Sequence, residues 1–289
     1  MGGVIFLLIL YHKSLKTKIM KTVIRILLMF VLFAGAFSCT NEDDWIFSNE
    51  NDHIKSISSY GQTTQMFLYD NLGRIREKQG MLFYNRYLYD ENGRLEKVET
   101  AIDESMYSSL ATPPRTELLT SANSTINSYN LYKYDNEGRL SKIENYINRT
   151  GKKFEYGSKT TFEYAGTLIC KANLCDEKGN ITQFLEYTYD QNGNITKEMY
   201  YTCIFGATLS NPKLTYERTY QYDNYNNPLH ILNMLEPKFY TSANNMIEMT
   251  TKWYTNDPRT ETTKQSFKYN DKGYPIKMTY DGGVEEYTY

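Results

Sequence analysis

Tyr132-Lys133-Tyr134-Asp135-Asn136-Glu137-Gly138-Arg139-Leu140-Ser141-Lys142-Ile143-Glu144 reads as a strand, a tight turn and a return strand. Asp at the first position of a type I turn accepts hydrogen bonds from backbone N–H groups. Gly at the fourth supplies the φ > 0 residue that closes a hairpin with a bulge. In that register Tyr134 lies across from Leu140 and Asp135 across from Arg139. The ion pair contributes about 0–1 kcal/mol at a surface, so turn geometry and the Tyr–Leu contact dominate.

The stretch recurs. Working outward, Asp70/Gly73, Asp90/Gly93, Asp135/Gly138, Asp176/Gly179, Asp190/Gly193, Asp223/Asn226 and Asn270/Gly273 mark seven copies, with Asn226 standing for Gly because it tolerates the left-handed region. Their first residues, Tyr69, Tyr89, Tyr134, Cys175, Tyr189, Tyr222 and Tyr269, are 20, 45, 41, 14, 33 and 47 residues apart, so the turn is repeated while its connections vary. Aromatics alternate into the turns as Phe67/Tyr69, Tyr87/Tyr89, Tyr132/Tyr134, Phe162/Tyr164, Tyr187/Tyr189, Tyr220/Tyr222 and Phe267/Tyr269, which gives the sheet one aromatic face. The expected fold is all-β: an antiparallel up-and-down meander of about 14–16 strands forming a large curved or partly closed sheet over residues 53–289. Pro228 and Pro275 occupy the place of Leu140 in the last copies; lacking an N–H, each predicts an edge or a bulge.

Three stretches interrupt the meander: 101–128, with Pro113-Pro114; 204–213, with Asn211-Pro212; and 233–248, with Pro237. All three read as loops, and insertions of this length are where binding residues concentrate.

The N-terminus has a different composition. A basic lead from Met20 (Lys21, Arg25), the apolar run Ile26–Phe33 and the small residues Ala34-Gly35-Ala36 have the layout of a secretion signal, with residues 1–19 an upstream extension and Met20 an alternative start. Residues 1–39 form this segment, and 40–52 a polar acidic tether. Ala36-Phe37-Ser38-Cys39 resembles the processing site of bacterial lipoproteins, which implies that Cys39 carries the lipid. Asn41-Glu42-Asp43-Asp44 resembles the acidic stretch that sends Bacteroidetes lipoproteins to the cell surface. The competing reading is ordinary cleavage after Ala36 or Ser38, releasing a soluble protein.

The Tyr-Asp-x-x-Gly-Arg-Leu core resembles the YD repeat of RHS-type surface proteins, in particular the shorter YD-repeat-like lipoproteins of the Bacteroidetes envelope. The resemblance covers residues 53–289. It implies β-hairpin architecture and a cell-envelope address, outer-membrane anchored and periplasmic or surface-exposed, and it implies no activity.

Composition narrows the function classes. Loss of residues 1–39 removes five basic and no acidic side chains, leaving 27 Lys and Arg against 34 Asp and Glu, about −7. Such a balance, with basic residues interleaved among acids, excludes a phosphate-backbone binder, so nucleic acid is not a partner. Cys170, Cys175 and Cys203 are an odd set, compatible with one bridge to Cys203 or with three thiols, and no metal-ligand spacing joins them. His53 and His230 are isolated and read as structural. Glu285-Glu286 is a carboxylate pair in a strand, and Trp45 and Trp253 with the tyrosines are candidates for stacking on sugar rings. No catalytic residue, metal or cofactor is called for. The leading expectation is a lipid-anchored, non-catalytic envelope module that binds a glycan or protein partner. The alternative is a carbohydrate-active hydrolase with its site in the concave sheet. A transmembrane barrel is disfavoured because Lys, Glu and Arg fall on both strand faces.

Overall fold

The computed structural model describes residues 53–103, 116–149, 151–202 and 212–289. Cys39, the signal segment, the 40–52 tether, Trp45 and Cys203 lie outside them. Sixteen strands follow in order: β1 (Ser56–Ser59), β2 (Gln62–Tyr69), β3 (Ile75–Gly80), β4 (Phe83–Tyr89), β5 (Leu95–Ile102), β6 (Ser128–Tyr134), β7 (Leu140–Ile147) and β8 (Glu155–Ala165). The second half is β9 (Leu168–Cys175), β10 (Ile181–Tyr189), β11 (Ile195–Thr202), β12 (Lys213–Asn226), β13 (Asn244–Trp253), β14 (Thr260–Tyr269), β15 (Pro275–Tyr280) and β16 (Gly283–Thr288).

Each strand pairs antiparallel with its neighbour in sequence, and β1 pairs with β16. The meander is therefore a closed barrel, where the sequence pattern leads one to expect a curved or partly closed sheet. The seam is fully bonded, with Ser56 opposite Thr288 and Lys55 N–H donating to the Thr288 carbonyl at 2.7 Å. Closure removes both edge strands.

The turn copies are alike in detail. In the Asp135 turn, Gly138 N–H donates to the Asp135 carbonyl at 3.0 Å, and Asp135 N–H donates to the Arg139 carbonyl at 2.9 Å. Asp135 Oδ1 accepts from Glu137 and Arg139 N–H, both at 2.9 Å, and Oδ2 pairs with the Arg139 guanidinium. Gly138 has φ +77°. Tyr134 lies opposite Leu140 with a bulge just before it. Turns at Asp70, Asp90, Asp176, Asp190 and Asn270 repeat this hydrogen-bond pattern. Their fourth residues share the left-handed backbone: φ is +74° at Gly73, +77° at Gly93, +86° at Gly179, +81° at Gly193 and +79° at Gly273. Space is not what demands glycine there. A Cβ at Gly73, Gly93, Gly179 or Gly273 would meet its nearest neighbour at 3.4–3.6 Å, an ordinary contact, and at Gly193 it would meet nothing within 4 Å.

The copy at Asp223/Asn226 departs from the other six. β12 continues through Asn226, which pairs with Asn244 and lacks a positive φ. Without Gly the left-handed closing residue is missing, so the chain stays extended and then leaves the sheet at Pro228. There Pro228 starts a 3-10 helix, Pro228–Met234, and a second short turn follows at Phe239–Thr241. Residues 244–248, expected in a loop, belong to β13. Pro275 heads β15 opposite Tyr269, next to a bulge like the one at the other copies. The other two insertions are also narrower than expected: Ala101 and Ile102 end β5, Ser128 starts β6 and Lys213 starts β12.

Counting turns along the meander puts those at Asp70, Asp90, Asp135, Ala165, Asp190 and Asn270 at one end, here the repeat end. The turn of Asp176 and Gly179 falls at the opposite end. It is the copy whose Tyr is replaced by Cys175, and the reason is visible in what the tyrosines do.

Candidate functional site: a plugged lumen with a polar half

The motif tyrosines point into the barrel and link hairpins to one another. Tyr89 hydroxyl donates to the Ile75 carbonyl at 2.8 Å, Tyr134 to Leu95 at 2.8 Å, Tyr164 to Leu140 at 2.8 Å and Tyr189 to Ile169 at 2.7 Å. Tyr222 donates to Ile195 at 2.8 Å, Tyr289 to Pro275 at 2.8 Å and Tyr69 to Ile54 at 2.7 Å. In five of these the acceptor opens the return strand of the preceding hairpin; in the sixth, Ile169 is the second residue of β9, and in the seventh, Ile54 just before β1 takes that place. The motif Arg lies over the next tyrosine ring: Arg74 over Tyr89 (4.3 Å), Arg94 over Tyr134 (4.9 Å) and Arg139 over Tyr164 (4.7 Å). Burial raises the pKa of these phenols, so each stays a donor through the neutral range.

Two positions before each motif tyrosine a second aromatic layer faces the lumen. Phe67, Tyr87 and Tyr132 pack with Ile57, Ile75, Val98 and Ile143 in one buried cluster, and Tyr187 and Tyr220 with Ala172, Ile195 and Met246 in another. Wall side chains alone cannot fill this space. Sixteen strands about 4.8 Å apart and tilted as barrel strands are enclose a cylinder roughly 30 Å across, far wider than the self-filling eight-stranded case. The segment between β12 and β13 fills the repeat half.

Leu232, 3% exposed, joins the first buried cluster together with Leu229, Ile231, Met234 and Leu235. Phe239 stacks on Tyr220 with ring centroids 5.2 Å apart. Asn227 caps the 3-10 helix, accepting from Leu229 N–H at 3.0 Å and donating to the Tyr240 and Ser242 carbonyls. His230 Nδ1 contacts the Thr241 carbonyl at 2.8 Å, and His53 sits edge-on to Tyr69, so both histidines serve structure. The returning chain is tied to the Asp190 turn by Asn194, which exchanges two 2.9 Å hydrogen bonds with Asn244. Asn194 stands where three of the copies have Arg, and at 1% exposure it leaves no room for the longer side chain.

The other half of the lumen is polar. At the third inward position of the strands entering the repeat end, the aromatic pattern gives way to Gln65, Asn85, Asn130, Thr160, Arg218, Gln265 and Glu285, with Leu185 of β10 the apolar exception. A cavity of about 250 Å³ is lined here by Asn85, Thr100, Asn130, Asn145, Ser158 and Thr160, with Tyr87, Tyr132 and plug residues Leu235 and Glu236 below. Thr100 hydroxyl donates to Asn85 Oδ1 at 2.9 Å, and Asn145 Nδ2 donates to Asn130 Oδ1 at 2.9 Å. Both bonds use carbonyl oxygens, so the Asn85 amino group remains to donate, while the Asn130 amide also interacts with the Tyr132 hydroxyl.

Charges inside the barrel are mostly matched. Glu198 accepts from Tyr216 hydroxyl at 3.0 Å and faces Arg218 at 3.5 Å; Glu236 pairs with Lys238 at 2.9 Å. Burial alone pulls Lys238 down, but Glu236 outweighs it and holds the ammonium above its ordinary value. Glu236 is the one carboxylate lining the amide cavity. The opposed carboxylate pair that a glycosidase needs is not assembled there. Glu285 and Glu286 face opposite sides of β16: Glu285 lies in the lumen, while Glu286 is 4.0 Å from Lys277 on the outer wall. Trp253 is engaged by Tyr216 and Glu261.

The outer wall carries ion pairs instead of an apolar band. Lys142–Glu144, Lys171–Glu186, Lys197–Glu217 and Lys264–Glu248 lie across β7 to β14. That arrangement is the reverse of a lipid-facing barrel, which is apolar outside and polar within. The described part of the first insertion also lies outside, with Leu119 buried on Tyr84 and Ala101. Cys170 and Cys175 are free thiols.

The residues singled out from the sequence thus serve the turns and do not assemble the site. Gly73, Gly93, Gly138, Gly179, Gly193 and Gly273, with the Asp or Asn that opens each turn, stand at the rims, and none of them lines the amide cavity. Gly193 borders a separate pocket with Tyr164, Tyr189 and Pro237 of the plug, and there too its part is to close the Asp190 turn. Asn85, Asn130 and Thr160 were legible as the position four before Tyr89, Tyr134 and Tyr164, a signal masked by the aromatics next to it, whereas Thr100, Asn145 and Ser158 carry no such mark.

No protein-family model matches the chain, and no curated protein matches it. Among solved structures it is similar to a porin-like protein from Bacteroides vulgatus ATCC 8482, at 11% identity over 82% of this chain and 98% of that one, with a TM-score of 0.47. A porin-like protein from Bacteroides uniformis ATCC 8492 gives 11% identity, 81% and 94% coverage and a TM-score of 0.41. The Tc holotoxin pore of Photorhabdus luminescens gives 14% identity, 74% and 12% coverage and a TM-score of 0.29. Likeness at this level assigns neither activity nor ligand.

Proposed function

We propose that the chain is a YD-repeat-type envelope protein, held by lipid on Cys39, whose barrel is a non-catalytic binding module for a glycan. One observation carries the ligand: amide and hydroxyl side chains of Asn85, Thr100, Asn130, Asn145, Ser158 and Thr160 converge on one cavity beside two tyrosines. Sugars present dense hydroxyls of both donor and acceptor character together with apolar ring faces. Neutral amides answer the first and aromatic rings the second. The charged outer wall suits a barrel that stands in water while the tether and lipid hold it to a membrane.

Screening the full chain against a glycan panel tests the ligand. Binding is expected, with Asn130→Ala and Asn145→Ala each weakening it by roughly tenfold, as loss of a buried hydrogen bond does. A panel without binders, or binders indifferent to both substitutions, would overturn the assignment. The anchor is tested separately by mass spectrometry of the mature N-terminus: a diacylated Cys39 is expected, and an unmodified peptide starting at Phe37 or Cys39 would refute it.

A further inference from the structure

A second cavity in the polar half shares no residue with the amide cavity. It measures about 420 Å³ and contains two opposite charges, Lys78 from β3 and Glu285 from β16. The two do not bridge, and neither has an ion-pair partner within 4.0 Å among the described residues. β2 and β1 lie between them in the wall, so their backbones stand roughly 14 Å apart at three strand spacings. The nearest aromatic company of Lys78 is the Phe67 ring at 5.9 Å; Glu285 receives a 3.4 Å hydrogen bond from Tyr287. Around them the lining turns apolar. Met81 and Leu82 of the β3–β4 connection and Phe83 at the start of β4 form one side, with Leu82 and Phe83 each 42% exposed, and Tyr280 closes another.

We propose that this cavity is a binding site for a free α-amino acid with an apolar side chain. A half-buried ammonium and a half-buried carboxylate that face a common space without meeting are each short of a counter-charge. A zwitterion supplies both at once, its carboxylate to Lys78 and its ammonium to Glu285, and leaves the site neutral. A purely anionic or cationic ligand would satisfy one group and be repelled by the other. The side chain of the amino acid would lie on Met81, Leu82 and Phe83, covering apolar surface otherwise left to water. Burial shifts both groups toward their neutral forms, lowering the Lys78 pKa and raising that of Glu285, consistent with the missing partners.

Isothermal titration calorimetry of the full chain at neutral pH with L-leucine tests this, beside 4-methylpentanoate and isoamylamine, which keep one charge each. Leucine is expected to bind, and each single-charge analogue to bind roughly tenfold more weakly or worse, the cost of one unpaired charge–charge contact. Lys78→Met and Glu285→Gln should each weaken leucine binding by a similar factor, whereas Asn130→Ala should leave it unchanged. Absence of leucine binding, or analogues that bind as tightly as leucine, would overturn the assignment. The analogue comparison decides the matter on the unmodified chain if a variant fails to fold. Because the amide cavity is separate, failure of the glycan reading leaves this result intact.

Discussion

At the scale of single residues, the repeat is a device in which each side chain has one task. Asp closes the turn from within; Gly supplies the left-handed φ; Arg and Tyr join neighbouring hairpins. The first task has a consequence in acid. Asp90 is held below its ordinary value chiefly by the Arg94 backbone N–H, Asp135 by that of Arg139, and Asp176 by the Asn180 side chain. A carboxyl group whose folded pKa is depressed contributes stability above its unfolded pKa and loses it as pH falls through the folded value. The urea midpoint should therefore be level above about pH 5 and fall progressively below pH 4. In an Asp90→Asn, Asp135→Asn, Asp176→Asn variant the midpoint should start lower and fall less steeply over that range. An identical acid slope in the variant would show that these turns do not carry the dependence. Sequence alone exposes Asp and Gly because turn chemistry is local. The Tyr-to-carbonyl bonds escape it, since their acceptors lie 14 to 39 residues away in the six hairpin-to-hairpin cases.

Among elements, the segment from Asn227 to Ala243 departs most from expectation. Its Pro, Asn and Ser content reads as surface loop, yet Leu229, Ile231, Leu232, Met234 and Leu235 recur along it and all pack against the lumen. A 3-10 helix of seven residues is too short to show a clear hydrophobic period, so nothing local announces a buried plug. Leu232 is its most buried leucine. Leu232→Ala should cost about 2–5 kcal/mol, the range for emptying a fully buried leucine site, read from urea denaturation monitored by tyrosine fluorescence. A loss below about 0.5 kcal/mol, as for a surface substitution, would mean that the plug is not part of the cooperative core. Loss of the sixth turn and gain of the plug are one event: with Asn226 extended and Pro228 next, β12 has no tight return available and the chain crosses the lumen before β13 begins.

For the whole molecule, closure governs behaviour. With β1 bonded to β16 there is no free edge, and every strand supports two neighbours. Ending the chain before Gly283 would strip β1 and β15 of one partner each and expose Ile57 and Phe67, which are at most 1% exposed in the closed barrel. The truncated chain should aggregate or elute as oligomers in size-exclusion chromatography; a monomer with unchanged thermal unfolding would show that the seam is dispensable. What the sequence determined by itself is the strand content, the turn chemistry and the aromatic face, because period-two alternation and Asp-x-x-Gly act over a few residues. What only the tertiary structure decided is closure, the plug and the lumen cavities. Closure depends on twist and stagger summed over sixteen strands, a small angle per strand that no single residue encodes. Once the ring closes, its diameter leaves a space that the wall cannot fill. That space draws the apolar segment 228–235 inward and brings Asn85, Asn130 and Asn145, from three separate strands, onto one cavity.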